Sequence, residues 1–206
     1  MQSPLSRGLV MVQLAHASTT MTVDEFLKQP LPDGKAELVR GELRMTPPAG
    51  GAHGVVAGNL LLALASYVKE KQLGRVFPDS VGYELIDLPR TVRAPDISFV
   101  QSSRLPEGGI GPGLLKLAPD LAVEILSPSE TASRLEEKLE DYRVSGTRLV
   151  WVADPERRTV LIVSDDAPVR WLRNNDMLDG AQIIPGFVCR VADLFEGLAH
   201  PHSNPI

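Results

Sequence analysis

Apolar residues recur at intervals of three and four through Val56, Leu60, Ala63, Leu64 and Val68, which predicts one long amphipathic helix over residues 53–72, stopped by Gly74. A shorter helix is predicted from Thr22. There Thr22-Val-Asp-Glu25 has the spacing of a capping box, and Pro30, Pro32 and Gly34 end the helix. Residues 37–45 read as two short strands about Gly41, closed by Pro47-Pro48 and the flexible Ala49-Gly50-Gly51. Residues 75–77, 81–86 and 95–100 are strand-like, and 104–113 is a Gly/Pro-rich loop. Leu121-Ala-Val-Glu-Ile-Leu126 is apolar apart from one charge, the pattern of a central strand covered on both faces. Ser129 or Thr131 caps a helix that reaches about Ser145. A strand over 149–153, a hairpin of 160–163 with 169–172 and a closing helix over 191–198 complete the chain. This order predicts an α/β (α+β) fold: a mixed central sheet flanked by helices, with an N-terminal helix and hairpin and a C-terminal hairpin. Residues 21–198 read as one domain, between tails at 1–20 and 199–206.

Two of these apolar strands carry a carboxylate. Asp96 lies in Ala-Pro-Asp-Ile-Ser-Phe-Val, and Glu124 in Leu-Ala-Val-Glu-Ile-Leu. Burying an unpaired carboxylate costs several kcal/mol, so each needs a partner. One partner is a cation shared between the strands. Mg²⁺ and Mn²⁺ take oxygen ligands from one or two carboxylates, with water and phosphate completing the shell, and the carbonyl of Ile125 is a candidate third ligand. The other is a salt bridge to Arg93, Arg40 or a lysine. Lys138 borders the apolar stripe Leu135, Leu139 and Tyr142 of the helix after Glu124. Its stem can lie along the core edge while its ammonium reaches inward.

Composition narrows the partners. The 206 residues suffice for one well-buried core, and 43% hydrophobic with 23% charged residues excludes wholesale disorder. The net charge of −5 and pI near 5.4 are opposite in sign to a protein that grips duplex over a broad face, so any nucleic-acid contact must be local. Cys189 is the only cysteine, which excludes an intrachain disulfide and a cysteine zinc cage and fits a reducing, cytoplasmic compartment. No run approaches the roughly 18 consecutive apolar residues of a membrane helix, so no membrane association is expected. The apolar stretch after Arg7 is too short, with Gln13 inside it, for a signal peptide.

Pro95-Asp96, Glu124 in Val-Glu-Ile-Leu-Ser-Pro-Ser, Lys138 with Tyr142, and Leu-Val-Trp-Val-Ala-Asp-Pro occur in an order that resembles the Uma-type restriction endonuclease family of the PD-(D/E)XK nuclease superfamily. Glu37-Leu-Val-Arg-Gly-Glu-Leu, the Pro-Pro…His53-Gly54 joint and Ile184-Pro-Gly-Phe extend the resemblance over about residues 21–198. It implies a restriction-endonuclease-like core with Asp96 and Glu124 as metal ligands. The superfamily lysine stands two residues after the glutamate, where this chain has Leu126, and the resemblance implies that Lys138 takes its role. Glu37 is the candidate further acid, ahead of Glu42. His53 either meets the phosphate or caps its helix.

The leading expectation is therefore an Mg²⁺- or Mn²⁺-dependent endonuclease acting on nucleic acid, DNA ahead of RNA, with Arg40, Arg93 and neighbouring arginines as substrate contacts. The alternative is a catalytically inactive binding or assembly module on the same fold. A hydrolase of another phosphorylated compound is a third reading. The hairpin near Trp171 suggests a homo-oligomer, a dimer first.

Overall fold

The computed structural model describes residues 20–30 and 34–199. Most of both expected tails, and Pro32, lie outside these residues.

The capping box forms as expected: the Thr22 hydroxyl accepts from the Glu25 amide and Glu25 accepts from the Thr22 amide, starting α1 (Val23–Lys28). The Gly41 hairpin joins β1 (Lys35–Val39) to β2 (Glu42–Thr46), and α2 (Gly51–Glu70) follows. Next come β3 (Gly74–Pro78), two-residue strands β4 (Tyr83–Glu84) and β5 (Val92–Arg93), β6 (Ile97–Gln101), and β7 (Leu121–Ile125). Then α3 (Ala132–Val144) crosses over to β8 (Leu149–Asp154), β9 (Thr159–Ser164) and β10 (Ala167–Leu172). A small ribbon of β11 (Met177–Asp179) and β12 (Val188–Arg190) leads into α4 (Val191–Leu194).

The central sheet has the order β10-β9-β8-β7-β6-β3, and β7 is interior to it as its apolar pattern predicts. Only β7 and β8 run parallel among its pairs, so the sheet is mixed. Alternation sends Leu121, Val123 and Ile125 to the α2 side, where they pack with Val56, Leu60, Leu64 and Val68. Ala122 faces the other way, onto Tyr142 of α3. Trp151 is fully buried and stacks on Phe187, a core role in accord with its apolar strand. By length and mean hydropathy, 1.4, α2 meets the requirements of a membrane span that the sequence had not suggested, but the packing of its buried stripe makes it a core helix here.

A second sheet, β2-β1-β5-β4, was not anticipated. The expected strand over 81–86 reduces to β4, and the helix expected over 191–198 to α4. Arg93 ties this sheet to α3. Its Nε and Nη2 donate to Asp141 Oδ2 at 2.9 and 2.5 Å, and its Nη1 donates to Glu37 Oε2 at 3.1 Å. Arg40 donates to the other Asp141 oxygen at 2.6 Å. This corrects the expectation that Arg93 meets substrate: its guanidinium is buried and committed to Asp141, which is fully buried and cannot be left unpaired. Arg40 shares Asp141 with its own side chain half exposed.

Removing one partner of a buried ion pair leaves the others uncompensated, so Arg93→Ala should lower unfolding free energy by about 3–5 kcal/mol in urea denaturation. An unchanged midpoint would mean that the network contributes nothing to holding the two sheets together.

Candidate active site

The mixed pairing sets the two acids side by side. β6 runs antiparallel to β7 with Ile97 opposite Val123, so the residue before β6 reaches the end of β7 where Glu124 stands. The Asp96 amide donates to the Val123 carbonyl at 2.9 Å, and its Oδ2 accepts from the Ile125 amide at 2.7 Å. The Asp96 side chain thus continues the ladder and is fixed against the central strand.

Glu124 faces α3, as alternation from Ala122 requires. Lys138 and Tyr142, one turn apart on that helix, meet it together: Lys138 Nζ donates to Oε2 at 2.9 Å and the Tyr142 hydroxyl to Oε1 at 2.7 Å. Leu126, in the strand position where a lysine was looked for, instead packs into the apolar layer beside α3. On the other acid, Lys35 Nζ donates to Asp96 Oδ1 at 2.7 Å, and His53 Nε2 lies 3.1 Å from Oδ2. The N-cap of α2 is Gly50 and makes no side-chain cap, so His53 is engaged with Asp96.

Lys35, His53, Asp96, Glu124, Ile125 and Lys138 all line one cavity of about 610 Å³. The structure therefore brings together five of the residues singled out from the sequence and adds Lys35, which was missed. Its signal was present: Lys35 and Glu37 share a face of β1 by period-two alternation. Glu37 itself does not line the cavity. It is buried, with Oε1 accepting from the Ala94 amide at 2.9 Å and Oε2 from Arg93. Its expected place as a further acid at the site is corrected accordingly, because its carboxylate is turned onto Arg93 and the Ala94 amide and away from the cavity that Asp96 and Glu124 line.

Burial works to raise the Asp96 pKa, but His53 and Lys35 outweigh it and hold the carboxyl well below the usual carboxylate range. Burial works to lower the Lys138 pKa, and the charges of Glu124 and Glu37 more than reverse this. Lys35 is raised in the same way, by Glu124 and Asp96 against its burial. Tyr142 is pushed up by burial and by Glu124, so it stays a protonated donor. Near neutral pH the cavity therefore joins ionised Asp96 to two charged ammonium groups.

Among the described residues no three His, Cys, Asp or Glu side chains converge as a cage. A hard divalent ion needs none, since one or two carboxylates with water and phosphate oxygens complete its shell. Asp96 and Glu124 on one cavity supply that donor chemistry. The Lys35 ammonium already holds positive charge against Asp96, where a cation would be drawn.

The family described as Uma2, "Putative restriction endonuclease", matches residues 23–192. No curated protein matches the chain. Among solved structures, a putative nuclease belonging to DUF820 from Anabaena variabilis ATCC 29413 is 24% identical and superposes with a TM-score of 0.74, over 85% of this chain and 97% of that one. That likeness shows the fold: the mixed sheet with its flanking helices is shared by the two chains. With the match spanning most of its length, this chain belongs to the Uma2 family of putative restriction endonucleases.

Proposed function

We propose that this protein is a divalent-metal-dependent endonuclease that hydrolyses phosphodiester bonds, with DNA as substrate ahead of RNA. The observation that carries the reading is the convergence of Asp96, Glu124 and Lys138 on one cavity. The family description and the nuclease name of the Anabaena protein point to the same chemistry and, through "restriction", to DNA.

Asp96 and Glu124 are the residues that would hold Mg²⁺ or Mn²⁺, with Ile125 at the same cavity wall. When bound, the ion supplies Lewis acidity toward the phosphoryl oxygens and offsets the charge that develops on them. Tyr142 and Lys138 hold the Glu124 carboxylate from two sides, which fixes its orientation before substrate arrives. The Lys138 ammonium, kept protonated, donates hydrogen bonds to the attacking water or to a non-bridging phosphate oxygen. His53 stands within reach of the Asp96 carboxylate and of the cavity, in a position to pass a proton. Lys35 must swing off Asp96 for an ion to bind there. In the balance of hydrolysis, water oxygen bonds to phosphorus, the phosphorus–oxygen bond to the leaving sugar breaks, and the leaving oxygen gains a proton.

One observation favours a second reading, the inactive module. Each acid already has a cation of the protein's own, Lys35 on Asp96 and Lys138 on Glu124. In that reading the ion pairs are structural.

Wild type should nick supercoiled plasmid with Mg²⁺ or Mn²⁺ and stop on chelation, while Asp96→Ala and Glu124→Ala should abolish both nicking and Mn²⁺ binding by calorimetry. Metal binding with no cleavage of plasmid, single-stranded DNA or RNA would assign the binding module instead. Lys138→Met should keep metal binding and lose about 10²-fold in kcat, with thermal unfolding as the check on folding. Lys35→Ala should tighten Mn²⁺ binding by roughly fivefold or more, because even at water's dielectric it removes about 1 kcal/mol of repulsion. Weaker binding in that variant would show that Lys35 organises the acids and does not compete with the ion.

A further inference from the structure

Three arginines lie on the same edge of the sheet as the acids. Ile125 at the end of β7 pairs with Ala153, Asp154 pairs with Thr159 at the start of β9, and Val160 pairs with Leu172 at the end of β10. The β8–β9 turn, with Arg157 and Arg158, and the segment after β10, with Arg173, therefore emerge on the edge that carries Asp96 and Glu124. Neighbouring strands are about 4.8 Å apart, so this turn and segment stand roughly 5–15 Å along the edge from Glu124.

These residues enclose a cavity of about 580 Å³, lined by Arg157, Arg158, Thr159, Arg173, Asn174 and Asn175. Asp176 is the one acid in the lining, and its Oδ2 already accepts from the Arg173 amide at 2.7 Å. Arg157 pairs with Asp154 at 2.8 Å, but its side chain is 73% exposed and remains available. Arg158 adopts a left-handed backbone, φ 53°, and its Nη2 donates to the Leu198 and Ala199 carbonyls at 3.2 and 2.8 Å, which fixes the guanidinium in place. The Arg173 guanidinium has no partner among the described residues. Planar guanidinium forks and amide donors around an open cavity match the oxygens of a phosphate, which guanidinium groups bind through paired hydrogen bonds.

We infer that this cavity binds a backbone phosphate of the nucleic acid, about one to four nucleotides from the bond cut at Asp96 and Glu124. The spacing follows from a rise of about 3.4 Å per nucleotide along one strand. The inference rests on the nuclease reading for its substrate class. It also gives the acidic chain a local basic contact in place of Arg93, which is spent on Asp141.

The test is anisotropy of a labelled 20-base-pair duplex and of its single strand in chelator, comparing wild type with Arg157→Gln/Arg173→Gln. The double variant should bind roughly tenfold more weakly, and its log–log salt slope for duplex should be shallower by about 1.8, two ion pairs' worth. Hydrolysis of bis(p-nitrophenyl) phosphate, a diester too short to reach the arginines, should be unchanged. Equal affinity and slope in the two proteins, or no wild-type binding to either oligonucleotide, overturns the inference. Competition by inorganic phosphate without any effect of the substitutions on oligonucleotide binding would make the cavity a free-anion site, and also overturns it. The nuclease reading fails separately, if wild type with Mn²⁺ cleaves neither the small diester nor DNA nor RNA.

Discussion

A carboxylate in the middle of a central β-strand has to be compensated from outside its own strand, and Glu124 imposes that condition on everything around it. Its strand neighbours are apolar and its face is covered by α3. That helix delivers a cation and a hydroxyl donor to it, Lys138 and Tyr142 one turn apart. Asp96 meets the same demand differently, by accepting an amide of the adjacent strand and drawing in Lys35 and His53. The result is a pair of acids whose positions are fixed by the ladder and whose charges are held by long side chains that can move.

Local signals in the sequence were reliable where short-range physics decides the outcome. Thr22 and Glu25 make a capping box because both partners lie within one turn, and β7 sits in the sheet interior because no polar face was available for solvent. The elements that were missed are those made by distant partners. β5 is two residues long, too short for any period, and exists because Leu38 and Tyr83 flank it in space. Ribbon β11–β12 likewise depends on a pairing across a turn-rich stretch. At the site, Asp96, Glu124 and Lys138 stood out because charge among apolar residues is costly. Lys35 did not, since a lysine in a short amphipathic strand reads as solvent-facing. Arg93 was misassigned for the reverse reason: its surroundings look polar in sequence, while its partners Glu37 and Asp141 lie far along the chain.

Net charge says little about where a phosphate can approach this molecule. The total is −5, yet many of the acids are consumed internally, Asp120 by Arg104 and Arg148 and Asp141 by Arg40 and Arg93. What an incoming anion meets is the field of a few groups at one sheet edge, and the positive groups there are those of the arginine turn, since Lys35 and Lys138 each stand against a carboxylate. Screening over about 10 Å at moderate salt keeps distant surface acids from cancelling it.

Delivering the amine from the crossover helix separates two design problems that a strand-borne lysine would fuse. A residue on β7 must satisfy ladder register and sheet packing at once, so relocating it means rebuilding the sheet. On α3, one turn is 5.4 Å, and a cationic head can migrate up or down by that step without disturbing any strand. The strand position is thereby released to Leu126 for tight apolar filling. Such modularity means that the position of the amine can be changed on α3 while the interior of the sheet stays as it is.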